Sequence, residues 1–335
     1  MILAGDVGGT KCNLALFTAQ NGRLRAVFEQ RFASKDYPRF DDVVVDFVRQ
    51  TIEHCASDKI VAAGFGVAGP VIGNRVKATN LPWIVDAQSL AKEIGIARVI
   101  LLNDLAATAH SLAHLEAADR FILNEGIAQP GASRALIAAG TGLGESILFW
   151  DGRRYLVLPT EGGHADFAPR TDREIEFLRF MKKRARNVSW ELILSGRGFA
   201  SLHEFVNPAV KHPSFETPEV DPAPEITHNA LTGSCAVCVE TVELWIGMYG
   251  AEAGNLALKS LSLAGMYVAG GIAVKILPKL KDGAFLEAFC DKEKFRPVLE
   301  RIPITVVLNE KAPLLGAAYE ALAGVQQGAR NVRAR

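Results

Sequence analysis

Two segments of the chain share one form: an apolar strand, a glycine-rich turn holding a threonine, and a second apolar strand. The first runs Ile2-Leu3-Ala4-Gly5-Asp6-Val7-Gly8-Gly9-Thr10-Lys11 and continues into an apolar run at 13–17. The second runs from residues 134–139 through Gly140-Thr141-Gly142-Leu143-Gly144 into 146–150. A Gly-Gly turn between apolar segments is by itself only a tight hairpin. A bare glycine turn can also lay backbone N–H groups against phosphate oxygens, with Thr and Lys as further donors. Asp6, at the strand end, could hold a hydrated magnesium ion. Neither turn has the spacing of the P-loop or the dinucleotide fingerprint, because a strand follows the loop rather than a helix. Hairpin chemistry does not require two such turns, so an internal repeat of β-β-β-α-β-α form is expected, with nucleotide held between its copies.

The rest of the chain is read against that repeat. A third strand is expected at 24–32, and a helix at 40–55 on the spacing of Phe40, Val43, Val44, Phe47, Val48 and Ile52. A buried strand at 60–67 precedes 71–79 and the loop Asn80-Leu81-Pro82-Trp83. That loop is either an ordinary proline turn or a polar amide presented beside an aromatic wall. A capped helix at 86–94 leads to an apolar run, 99–102, that ends in Asn103-Asp104. A carboxylate directly after four apolar residues is costly unless it is used. Locally it reads as a helix cap; beside the two glycine turns, catalysis becomes the stronger reading, and both roles can coexist.

In the second half, a strand at 155–158 leads to Glu161-Gly162-Gly163-His164-Ala165-Asp166, where two acids and an imidazole crowd a glycine turn. Such a group can bind several hydroxyls at once, whereas one His with two acids is a poor zinc set. A basic amphipathic helix is expected at 171–184. Glu191 precedes an apolar turn and Ser195-Gly196-Arg197-Gly198. The proline-rich stretch 208–224 reads as a surface excursion, and 234–261 as a long buried helix. The strand 266–269 meets Gly270-Gly271, a pair that lets an aromatic ring lie flat on backbone. A last strand at 302–308 and a closing helix from Pro313 complete the pattern.

Lys+Arg and Asp+Glu are both 37, so net charge gives no argument for nucleic acid or an anionic membrane as partner. No apolar run approaches the ~20 residues that cross a bilayer, and the start has no basic signal region. Five cysteines, an odd number, argue against a disulfide framework and for a reducing cytoplasm. Cys235-Ala-Val-Cys238 has redox or zinc half-site spacing. With no second pair or His cluster accompanying it in sequence, it is read as structural.

Taken in order, these pieces resemble the actin-like sugar kinases, and closely the non-zinc bacterial glucokinase family. The matching motifs are Gly5–Thr10, Thr79-Asn80-Leu81-Pro82-Trp83, Asn103-Asp104, Gly140–Gly144, Glu161-Gly162-Gly163-His164-Ala165-Asp166-Phe167-Ala168-Pro169, Leu194-Ser195-Gly196, Ala269-Gly270-Gly271-Ile272 and Leu314-Leu315-Gly316. The resemblance implies an α/β chain with a two-domain actin-like (ribonuclease H-like) ATPase fold and an active site in the interdomain cleft. The smaller domain would be 1–109 plus 312–335, and the larger α+β domain 110–311. It implies that Asn80, Asn103, Asp104, Glu161, His164 and Glu191 face glucose hydroxyls. Gly5, Asp6, Val7, Gly8, Gly9, Thr10, Lys11, Gly140, Thr141 and Gly142 would serve the phosphates of ATP, Gly270 and Gly271 its adenosine, and Asp6 would lie near Mg2+. A homodimer is implied as well. Lys11-Cys12-Asn13 and Arg197 depart from the family pattern at positions that bear on the nucleotide. The related kinase/repressor family is disfavoured, since its Cys-rich zinc motif and N-terminal DNA-binding helices are not found.

The expected reaction is ATP + D-glucose giving ADP + glucose 6-phosphate, with Asp104 taking the proton of the 6-hydroxyl. Two rivals remain: a kinase of another hexose or N-acetylhexosamine, and an actin-like ATPase without sugar chemistry.

Overall fold

The computed structural model describes residues 1–54, 59–79, 81–216 and 220–333. The chain forms two compact units, Met1–Leu115 with Asn309–Arg335, and Glu116–Leu308.

The first unit begins with strands β1 (Ile2–Val7), β2 (Lys11–Gln20) and β3 (Arg23–Ala33), then helix α1 (Phe40–His54) and strand β4 (Ala62–Val67). The short strands β5 (Val71–Ile72), β6 (Arg75–Lys77) and β7 (Ile84–Asp86) form a separate small sheet. Helix α2 (Ala87–Glu93), strand β8 (Val99–Asn103) and helix α3 (Asp104–Ser111) follow. The main sheet has the order β3-β2-β1-β4-β8. Its first three strands are antiparallel, and β1, β4 and β8 run parallel. Asp86 caps α2, its carboxylate accepting the N–H groups of Gln88 and Ser89, as the sequence predicts.

Strand alternation divides the apolar residues between the two faces of this sheet. Leu3, Leu14, Leu16, Ala63 and Phe65 join Phe40, Val43, Phe47 and Leu90 of α1 and α2 in one core. Ile2, Ala4, Ala15, Phe17 and Ala62 join Ala107 of α3 and Leu314 and Ala317 of the closing helix in another. Burial on both faces explains why β1 and β4 read as continuous apolar runs rather than alternating ones. Each fully buried Leu or Phe here contributes about 1.5–3 kcal/mol of transfer free energy.

The second unit contains β9 (Arg120–Asn124), β10 (Arg134–Ala139), β11 (Leu143–Trp150) and β12 (Tyr155–Thr160). Helices α4 (Asp172–Lys182), α5 (Trp190–Ile193), α6 (Gly196–Val206), α7 (Ala223–Thr232) and α8 (Ala236–Ser260) come next. Then follow β13 (Met266–Ala269), α9 (Gly271–Lys275), α10 (Leu277–Leu280), α11 (Ala284–Cys290), α12 (Arg296–Leu299) and β14 (Ile304–Val307). The chain closes with α13 (Ala312–Arg333), which belongs to the first unit. The second sheet has the order β12-β11-β10-β13-β14-β9. Apart from the added edge strand β9, this is the order of the first sheet, third-second-first-fourth-fifth, and it is the internal repeat expected from the glycine turns. The repeat is not bare β-β-β-α-β-α, because three short strands interrupt one copy, and in the other α4–α8 stand between β12 and β13 and α9–α12 between β13 and β14. Helix α8 forms the centre of the second core, with Trp245, Ile246, Tyr249 and Ala253 buried against α6, α7 and α11.

Tight packing of α13 needs small residues. A Cβ on Gly316 would lie 1.7 Å from the carbonyl oxygen of Ala107 in α3, and one on Gly64 would lie 2.2 Å from that of Ala317. Both contacts are to backbone, so no side-chain motion relieves them.

Candidate functional site

In the first unit the predicted residues collect at one edge of the parallel strands. Val7 pairs with Val67 and Val67 with Asn103, so β1, β4 and β8 end together. The carboxyl ends of parallel strands are where open α/β sheets place their ligands. Asp6 lies one residue before that edge and Asp104 one residue after it. Gly66, between them in the sheet, leaves the space that Ala107 of α3 fills: a Cβ there would lie 2.9 Å from Ala107 Cβ.

Asn103 is the N-cap of α3, its Oδ1 accepting the N–H groups of Leu105 and Ala106 while Nδ2 donates to the Gly69 carbonyl at 3.2 Å. The Leu105 N–H also donates to Asp104 Oδ1 at 2.8 Å. Burial raises the affinity of Asp104 for a proton, opposed by the hydrogen bonds from Leu105 and Asn103. Burial raises that of Asp6 too; Asn13 opposes the shift and the charge of Asp104 adds to it. Two carboxylates near enough to feel each other form a site that a cation would relieve.

Asn13 is the residue that sequence reasoning left unassigned. It stands across the hairpin from Asp6 and donates Nδ2–H to Asp6 Oδ2 at 3.3 Å, while its Oδ1 accepts from Arg31 Nε at 3.1 Å. The signal was the register of the hairpin itself. The turn between β1 and β2 closes with Gly8 N–H on the Lys11 carbonyl at 3.0 Å, and Ser34 Oγ donates to the Gly8 carbonyl. Gly9, Thr10 and Lys11 are exposed, whereas Gly5 and Val7 are buried within the strand.

The second unit brings its own set together. Gly140, Thr141 and Gly142 form the β10–β11 turn, closed by Gly140 N–H on the Gly142 carbonyl at 2.9 Å. Glu191, on α5, accepts the Leu143 N–H through Oε2 at 3.1 Å. A Cβ on Gly142 would meet that same Oε2 at 2.6 Å. Glu191 therefore buttresses the turn, a role the sequence did not reveal. Gly162–His164 is a single 3-10 turn packed on the start of β11, and a Cβ on Gly163 would lie 2.1 Å from the Leu143 carbonyl oxygen. Glu161 and His164 are exposed, with His164 Nε2 at 4.0 Å from Glu161 Oε2. Next to the Gly140 turn, β13 runs parallel to β10 with Ala269 beside Ala138, and Gly270 follows at φ 91. A side chain there would be strained and would also strike the Ala139 carbonyl oxygen, 2.2 Å from the Cβ position. The turn at Gly140–Gly142 and the pair Gly270-Gly271 thus share one sheet edge.

Asn80 lies outside the described residues, as does Cys55 at the end of the expected first helix. The expectation that no His cluster accompanies Cys235 and Cys238 is corrected by the structure: His203 and His212 lie against them. They escaped notice because they come from α6 and the proline-rich excursion, well upstream in sequence. No single helix among the described residues is long and apolar enough to cross a membrane.

A family model described as Glucokinase matches residues 3–323. The chain is similar to a glucokinase of Trichormus variabilis, 39% identical over 339 residues that cover 95% of this chain and 98% of that protein. It is likewise similar to a glucokinase of Synechocystis, 40% identical over 341 residues covering 94% and 96%. Among solved structures, a glucokinase from an Antarctic psychrotroph superposes with a TM-score of 0.84 at 29% identity, covering 96% of this chain and 98% of that one. A ROK family glucokinase from Streptomyces griseus, solved with glucose and AMPPNP, gives a TM-score of 0.64 at 20% identity over 96% and 99%, a likeness of fold. The fold is therefore the two-domain actin-like ATPase fold of the sugar kinases.

Proposed function

Because the chain belongs to the glucokinase family, we propose how its own residues carry the ATP-dependent phosphorylation of D-glucose to glucose 6-phosphate. The observation that carries the reading is Asp104, a partly buried carboxylate of raised proton affinity at the parallel strand edge. A primary hydroxyl is a weak nucleophile, and a carboxylate that holds a proton more tightly than usual is a better base for it. Asp104 takes the proton of the 6-hydroxyl as that oxygen bonds to the γ-phosphorus and the bond to the ADP oxygen breaks. Asn103 turns its second amide N–H to the sugar while its oxygen holds the start of α3. Asn80, Glu161, His164 and Glu191 bind the remaining hydroxyls, the acids accepting and the imidazole donating or accepting.

Phosphoryl transfer has a loose transition state, so positioning and charge stabilisation provide most of the rate. The backbone N–H groups of the Gly8–Lys11 and Gly140–Gly142 turns, other than those of Gly8 and Gly140 that close the turns, face the phosphate oxygens, and Gly270-Gly271 leaves flat backbone for the adenosine. Asp6 fits a hydrated magnesium ion: its carboxylate is held by Asn13 and lies under the unfavourable influence of Asp104. Magnesium bound with ATP would supply positive charge to the phosphates. A homodimer in the reducing cytoplasm completes the reading.

The test is ADP release measured with ATP and a panel of glucose, mannose, fructose and N-acetylglucosamine. Glucose-dependent release well above that with the other sugars is expected. Release that is independent of sugar would replace this reading with the ATPase one, and a preference for another sugar would move the substrate.

A further inference from the structure

Away from the residues assigned to sugar and nucleotide, four side chains from three parts of the second unit converge. His203 lies near the end of α6, His212 in the proline-rich excursion, Cys235 at the N-cap of α8 and Cys238 in its first turn. One candidate ligand atom from each, two imidazole nitrogens and two sulfurs, lies within 4.8 Å of all the others. Cys238 Sγ is 3.1 Å from His212 Nε2, and the two imidazole rings meet edge to face with centroids 5.2 Å apart.

A second observation points to a ligand. His203 is 1% exposed, and its Nε2 is buried with no hydrogen-bond partner. A buried polar atom left unpaired costs roughly 1–3 kcal/mol, so it calls for something that satisfies it. The neighbours at hand are two sulfurs and another imidazole, poor hydrogen-bonding company but a good set for a borderline-soft metal.

We propose that His203, His212, Cys235 and Cys238 bind a structural zinc ion. Tetrahedral zinc with sulfur at about 2.3 Å and nitrogen at about 2.0–2.1 Å requires ligand atoms roughly 3.4–3.8 Å apart. The cluster reaches that spacing by contracting at most about 1.4 Å at its widest, while the Cys238–His212 pair opens slightly from 3.1 Å. Zinc is favoured over the hard cations because no oxygen ligand is present in the set, and over an open catalytic site because four protein ligands close the tetrahedron. The thiols give up their protons as they ligate. Asn229 supplies the outer support. Its side-chain amide lies 3.5 Å from His212 Nδ1, the nitrogen opposite the ligating one, and its oxygen and nitrogen are interchangeable in such a network. The ion would tie the end of α6 and the excursion at 208–224 to the start of α8, the central helix of this unit's core. Before α7 begins at Ala223, that excursion has only one short 3-10 helix, Pro213–Glu216, among its described residues. A cross-link there would add to the anchoring that Phe215 gives the excursion against this core.

The experiment uses tag-free, fully reduced protein purified without chelator. Metal is counted by inductively coupled plasma mass spectrometry, and cobalt reconstitution is followed by absorbance. About one zinc per chain is expected, with a thiolate-to-cobalt charge-transfer band and tetrahedral ligand-field bands on cobalt addition. Cys238→Ser should abolish the charge-transfer intensity contributed by that sulfur and lower zinc occupancy at least ~10-fold. Should that variant fail to fold, Asn229→Ala keeps the four ligands and is expected to weaken zinc binding ~10–100-fold in a chelator competition. Folded, reduced wild-type protein that takes up no zinc from solution and gives cobalt no thiolate band would overturn the proposal. So would a cobalt spectrum unchanged by Cys238→Ser, or a Cys235–Cys238 disulfide whose reduction leaves metal uptake at zero.

Discussion

Burial holds the carboxyl of Asp104 above its ordinary value, while the N–H of Leu105 and the side chain of Asn103 pull it back. The same shift has two consequences with opposite value to the enzyme. A folded-state pKa above the unfolded 3.8 means that the native chain binds the proton more tightly. Stability from this group is therefore greatest below 3.8 and is lost as pH rises through the shifted value. At neutral pH the charged base destabilises the fold that displays it. Asp104→Asn keeps an oxygen for the Leu105 N–H and removes the charge. It is expected to lower turnover by ~10²–10⁴ while glucose still binds, and to raise the thermal midpoint at pH 7. The wild-type kcat/KM should fall on acidification with a midpoint above the ordinary aspartate value of 3.8. Near-normal turnover in Asp104→Asn, measured by coupled assay, would remove Asp104 from the role of base.

At the scale of elements, the turn Glu161–His164 and the turn Gly140–Gly142 are held together by glycines that fail in different ways when filled. A Cβ on Gly163 meets the backbone carbonyl of Leu143, which cannot move without moving β11. A Cβ on Gly142 meets only the end of the Glu191 side chain, which can swing aside at the expense of its bond to the Leu143 N–H. Gly163→Ala should cost about 1–3 kcal/mol, as overpacking does, and Gly142→Ala about 1 kcal/mol, one hydrogen bond. Urea midpoints of the two variants measure the difference, and equal losses would contradict it.

These local elements are also where the sequence was most legible. Hairpins around Gly8-Gly9 and Gly140–Gly142, the Asp86 cap and the strand leading into Asn103 follow from turn chemistry and periodicity over a few residues. The small sheet of β5, β6 and β7 did not, because its strands are two or three residues long and carry no period. Asn13 on Asp6, Glu191 on the Leu143 amide, and His203 with His212 beside the cysteines are set by register and packing between distant segments. No window of sequence contains both partners of such a contact.

For the molecule as a whole, the pH dependence of stability has a second origin, in the core of Glu116–Leu308. Glu145 on β11 is 2% exposed and Glu252 on α8 fully buried, with Lys259 Nζ at 3.4 Å from Glu252 Oε1. Glu145 Oε1 has no hydrogen-bond partner. Burial, then the neighbouring Glu252, pushes Glu145 up to about 8. Since that lies above the unfolded 4.5, the native state holds the extra proton, and stability should fall as pH rises from about 4.5 through about 8. Glu145→Gln should flatten this slope and be about 1–3 kcal/mol more stable than wild type at pH 9, the scale of a buried group left unsatisfied. Denaturant melts at pH 6 and pH 9 test it; a variant with an unchanged slope would place the titration elsewhere.

The return of α13 to the first unit sets an order of events on the ribosome. Ile2, Ala4, Ala15, Ala62 and Ala107 share a core with Leu314, Ala317, Ala318 and Ala321. The strands made first therefore keep an uncovered apolar face until the last helix is made. Everything from Glu116 to Leu308 is translated in between, on the order of 10–40 s at ~5–20 residues per second. The later unit can complete its core while the earlier one waits. A nascent chain stalled before Ala312 would present a sticky half-sheet to chaperones, although nearly all of its sequence had already been read.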